Sequence, residues 1–84
     1  MSKITRADEK MNFQALSVGQ RGTMVYIVQK ILNTIGYELR EDGIFSEEMA
    51  KLIKEFQATR DNLVVDGIVG YQTMKEMDEA SNTI

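Results

Sequence analysis

The strongest pattern in the chain is helical. Val25, Val28, Leu32 and Ile35 recur at the i, i+3, i+7, i+10 spacing of a buried face, and Met24, Ile27 and Ile31 widen it. Thr23 suits the N-cap and Gly36 a left-handed C-terminal cap, so the spacing predicts a central helix over 23–35. A second apolar stripe, Met49, Leu52, Ile53 and Phe56, with Lys51, Lys54 and Glu55 facing water, predicts a helix over 46–59. Ser46 caps it and Glu47 and Glu48 suit its positive end. Leu63-Val64-Val65 reads as a short extended run, and a third helix over 70–79 buries Met74 and Met77. The predicted core is Val25, Val28, Leu32, Ile35, Leu52, Ile53, Phe56, Leu63 and Met74. The class is all-α, a compact three-helix domain.

Between the helices lies a repeat. Asp42-Gly43-Ile44-Phe45 recurs as Asp66-Gly67-Ile68-Val69, and each copy leads into a helix. The shared device is a turn with glycine where φ is positive, then an apolar pair entering the core, then a helix start. Asn62, after Thr59-Arg60-Asp61, is a residue that tolerates positive φ. Residues 1–15 read as a flexible polar leader with Phe13 docking near its end, 16–80 as the domain and 81–84 as a tail.

Composition narrows the chemistry. At 84 residues, a chain buries about 60–65% of its unfolded surface, so one small core is expected. There is no cysteine and no histidine, which removes disulfides, thiolate nucleophiles, the usual zinc ligand sets and His-based triads. The net charge is −3 and Arg6, Arg21, Arg40 and Arg60 are scattered, against nucleic-acid binding. No apolar run approaches the ~20 residues of a membrane span, and residues 1–10 hold no apolar segment of a secretory signal peptide.

An Asp-Gly turn before a helix invites a calcium-loop reading, but ligand spacing rejects it. With Gly43 sixth, Arg40 takes the third position and Met49 the twelfth; with Gly67 sixth, these are Val64 and Thr73. No metal and no cofactor is expected. The carboxylates lie mostly at helix starts and on predicted solvent faces; Asp42 and Asp66, the ones expected to be partly buried, are read as accepting backbone N–H bonds within their turns. Gly19-Gln20-Arg21-Gly22 reads as a simple turn, with neither a phosphate loop nor a nucleophile elbow in the chain. The sequence is not that of an enzyme. Met24, Met49, Met74 and Met77 are assigned to the core, while Tyr26, Tyr37 and Tyr71 sit at boundaries where a ring can stack with its hydroxyl wet.

In order, Leu16, Gly19, Gly22, Val25, Val28-Gln29, Leu32, Ile35 and Gly36-Tyr37, then Asp42-Gly43-Ile44-Phe45, Ala50, Ile53 and Phe56-Gln57, and finally Leu63, Val65, Asp66-Gly67, Val69-Gly70, Thr73, Met74 and Met77 resemble the peptidoglycan-binding domain of bacterial cell-wall hydrolases. Ser46, Met49 and Asn62 depart from its pattern of glycine, threonine and glycine. The resemblance implies a three-helix, non-catalytic module that binds peptidoglycan or muropeptides and anchors a partner or particle, such as a cell-wall hydrolase or a phage component, at the bacterial wall. The candidate ligand-binding residues are then Gln29, Tyr37, Asn62, Tyr71 and Gln72, amide and aromatic groups at the helix ends. The alternative is a protein-interaction or structural module, like the related pro-segments of metalloproteases, that keeps the fold without glycan binding.

Overall fold

The computed structural model describes residues 13–82. The leader proposed at 1–15 therefore lies outside the described residues except for 13–15, as do the last two residues of the tail. Among the described residues three helices follow one another: α1 (Thr23–Ile35), α2 (Glu47–Ala58) and α3 (Tyr71–Asn82). Helix α3 runs three residues beyond the predicted 79, with Ala80 still half-buried against the core.

The helix ends follow local chemistry. Ser46 accepts a hydrogen bond from Met49 N at 3.1 Å, and Thr59 closes α2 by donating its hydroxyl to Phe56 O at 2.6 Å. At the end of α1, Gly36 has φ +131°, and its N–H is shared between the Leu32 and Asn33 carbonyls. The N-cap of α1 is Gly22, not Thr23: it has φ +135° and no side-chain cap. The reason is tertiary. Gly22 donates its N–H to Gly43 O at 2.9 Å and must turn at once into the helix, a path that L side chains rarely follow.

The helices are tied together through their connections. Residues 16–22 form a strap that pairs with both turns. Leu16 and Val69 exchange backbone hydrogen bonds at 3.0 and 2.9 Å, while Gly19, Gln20 and Gly22 bond to Phe45 and Gly43. Helix α1 makes its principal helix contact with α3.

The core is Leu16, Val25, Val28, Leu32, Phe45, Met49, Ile53, Phe56, Val69 and Met77. Ile35, Leu63 and Met74, assigned to it from spacing, are half-buried at its edge, and Leu52, assigned likewise, is only half-buried. The predicted face of α1 was too broad: Met24 is 42% exposed and Ile27 also faces outward, while Tyr26, read as a boundary residue, is exposed. In each repeat only the second apolar residue enters the core. Phe45 and Val69 are buried, whereas Ile44 and Ile68 are exposed, as alternation along an extended segment requires. No described non-glycine residue has positive φ, so Asn62 does not adopt the left-handed turn expected of it.

Candidate functional site

The two Asp-Gly turns are built by corresponding bonds, with one more at the second. Gln29, on α1, donates its amide to Asp42 Oδ1 at 3.1 Å and Ile44 O at 3.0 Å, and its Oε1 accepts from Gly43 N at 2.8 Å. Gln57, on α2, donates to Asp66 Oδ1 and Ile68 O, both at 3.0 Å, and accepts from Asp66 N and Gly67 N. In both turns the carboxylate accepts from the backbone N–H two residues on, Ile44 at 3.0 Å and Ile68 at 2.9 Å, as the sequence predicts. A third acceptor completes each glutamine: Met49 Sδ at 3.6 Å for Gln29 and Thr73 Oγ1 at 3.1 Å for Gln57. The turn glycines have φ +74° and +75°, the left-handed conformation expected of them. Contrary to expectation, Asp42 and Asp66 stay exposed. The Ile44 N–H, and next the Gln29 amide, hold the Asp42 carboxyl below its usual pKa.

Beside each turn lies a groove. That of the first turn, about 600 Å³, is lined by Gln29, Glu38, Leu39, Arg40, Asp42, Ile44, Ser46, Glu48 and Met49. That of the second, about 310 Å³, is lined by Asn62, Leu63, Val64, Asp66, Ile68, Gly70, Tyr71, Gln72 and Thr73. A third, more open hollow of about 530 Å³ lies between Arg21, Tyr26 and the first turn.

Of the five candidate ligand residues, three converge on the second groove: Asn62, Tyr71 and Gln72. Asn62 donates its amide to Glu76 at 3.0 Å, and the Tyr71 ring meets Phe13 edge-on with centroids 6.3 Å apart. Gln72 is exposed. Tyr37 lies apart, half-buried; burial, and then the Glu55 charge, raise its pKa while Arg60 opposes them. Gln29 is 1% exposed with its amide committed to the first turn, so its assignment to the ligand is revised: it positions the groove floor. Its counterpart Gln57, which holds the second turn, was not singled out from the sequence. The available signal was a lone amide on an otherwise apolar helix face, placed before each Asp-Gly pair.

Among the described residues no group of three or more His, Cys, Asp or Glu is placed to hold a metal, and no helix is long and apolar enough to cross a membrane. Two shallow grooves, the first edged by charged side chains and the second mostly by neutral ones, thus lie on a small pinned helical scaffold. The comparisons place it in a family. The model described as "Putative peptidoglycan binding domain" matches residues 21–77, and the chain belongs to that family. Solved structures agree. A fused Zn-dependent amidase/peptidase/peptidoglycan-binding domain-containing protein from Clostridium acetobutylicum is 30% identical with a TM-score of 0.74, over 80% of this chain and 30% of that one. The SleB N-terminal domain is 29% identical with a TM-score of 0.75, over 81% of this chain and 93% of that one. An endolysin of the Burkholderia phage AP3 is 34% identical with a TM-score of 0.72, over 77% of this chain and 25% of that one. The chain thus spans less than a third of the amidase/peptidase and of the endolysin. No curated protein matches its sequence.

Proposed function

We propose that this chain binds peptidoglycan as a non-catalytic module and holds a partner, such as a cell-wall hydrolase or a phage component, against the bacterial wall. The observation that carries the reading is family membership across 21–77. Two features support it: the chain has neither histidine nor cysteine for hydrolytic chemistry, and Asn62, Tyr71 and Gln72 share a groove. Amide groups hydrogen-bond sugar hydroxyls and acetamido groups, and an aromatic ring packs on a sugar's apolar face. Tyr37, half-buried against the core, is a further contact candidate on the same reasoning.

A shallow groove with few anchors orders little and binds weakly, with Kd of about 10 μM to 1 mM. Retention at the wall then comes from a tethered partner or from several copies. Because amide and sugar contacts carry the binding, salt changes it little. The test is co-sedimentation with purified sacculi at low and high salt. Retention at both is expected. Failure to sediment, together with no response to millimolar soluble muropeptide, overturns the proposal and favours the protein-interaction reading.

A further inference from the structure

The two turn grooves are copies of one another. Adding 24 to Glu38, Arg40, Asp42, Ile44, Glu48 and Met49, which line the first, gives Asn62, Val64, Asp66, Ile68, Gln72 and Thr73, which line the second. The match is geometric as well as numerical, since Gln29 and Gln57 pin the two turns through corresponding bonds. The grooves therefore present the same positions with different chemistry. At three of them the first groove carries a charge where the second is neutral: Glu38 against Asn62, Arg40 against Val64, and Glu48 against Gln72, all six exposed.

We propose that the second groove alone takes ligand, that this ligand is the uncharged, N-acetylated sugar portion of peptidoglycan, and that the first groove is a silent copy. The inference rests on the peptidoglycan-binding reading and names the part of the polymer recognised. In the second groove the Asn62 carbonyl oxygen accepts no hydrogen bond from a described residue, and Gln72 engages none through its side chain. Together they match the donor and acceptor of an acetamido group. Val64, 74% exposed, with Ile68 and the Tyr71 ring, offers apolar surface to the C–H face of a sugar ring. The groove's own carboxylate, Asp66, already accepts from Ile68 N and Gln57 Nε2. A volume of about 310 Å³ stands at the lower end of ligand sites, about 300–1,000 Å³. A neutral sugar entering the first groove must instead strip water from Glu38, Arg40 and Glu48 without supplying any countercharge.

The experiment is amide-resolved NMR titration of the full chain with chitotetraose, an uncharged N-acetylated oligosaccharide, and separately with a free peptidoglycan stem tetrapeptide. Chitotetraose is expected to shift amides within 62–73 and leave 38–49 unmoved, and the peptide alone to shift neither set. Transplanting the charges with Asn62→Glu, Val64→Arg and Gln72→Glu should weaken chitotetraose at least about tenfold. The reciprocal variant, Glu38→Asn, Arg40→Val and Glu48→Gln, should create a second set of shifts within 38–49. All six positions are exposed, so neither variant disturbs the core. Shifts of the wild type within 38–49, a response to peptide but not to sugar, or indifference to the charge transplant overturns the inference. If the wild type sediments with sacculi while chitotetraose leaves 62–73 unmoved, the inference falls and the proposed function stands; if it neither sediments nor responds to chitotetraose or millimolar soluble muropeptide, both fall.

Discussion

Asp42 shows how one side chain serves a turn without being buried. Its carboxylate accepts from Ile44 N and the Gln29 amide, and both contacts favour the ionised form. The folded-state pKa therefore lies below the unfolded value, near 3.8. A depressed carboxylate contributes stability that is fully present above the unfolded pKa and is lost as pH falls through the folded one. Thermal stability is expected to decline from about pH 4 downward, and Asp42→Asn to flatten part of that decline, measured as Tm across pH 6 to 2. A variant whose acid limb parallels the wild type would show that the turn does not need the charge.

At the level of the element, the unit of construction is a turn clamped by a glutamine from the preceding helix. Gln57 makes four such bonds and a fifth to Thr73, and the Gly67 N–H that it satisfies is on a buried residue; Gly43, held by Gln29, is only half-buried. A buried donor left without a partner costs about 1–3 kcal/mol, whereas a more accessible one recovers water. Gln57→Leu is therefore expected to destabilise more than Gln29→Leu, read as the difference in urea midpoints. Equal losses would mean that water reaches both turns alike. The strap at 16–22 adds a second constraint, because it bonds to both turns and fixes them relative to each other. The grooves are thus held by backbone bonds on one side and glutamine amides on the other.

For the whole molecule, stability depends on one core whose largest members are Phe45 and Phe56. Phe56 reaches that core from α2, with the Arg60 guanidinium 5.0 Å above its ring. Phe56→Ala leaves a cavity costing about 3–5 kcal/mol, enough to unfold most of a domain this small. Calorimetry should show a large fall in Tm or no transition; wild-type melting would contradict the packing. Family membership and the fold of relatives such as the SleB N-terminal domain are properties of this same scale, carried by the ordered set of core and turn positions and not by any one motif.

The sequence by itself determined the three helices, their order and their approximate ends, because apolar spacing, Ser46 and Gly36 act over a few residues and write themselves into local pattern. It also determined the two turns, since Asp-Gly carries its own hydrogen-bonding and φ requirements. Tertiary structure decided the rest. Spacing marked Met24 and Ile27 as buried, but the width of a helix face says nothing about how much of it a neighbour covers. Gln29 looked like a free amide until Asp42, 13 residues on, came back against it, and Gln57 is committed in the same way to Asp66, nine residues on. Asn62, Tyr71 and Gln72 were named separately and meet in one groove because the loop after α2 folds back on the start of α3. That the first turn carries the same groove with charges at its edge emerges only once the lining of both grooves is known, since a groove is made of residues brought together by the chain's return and not by their order along it.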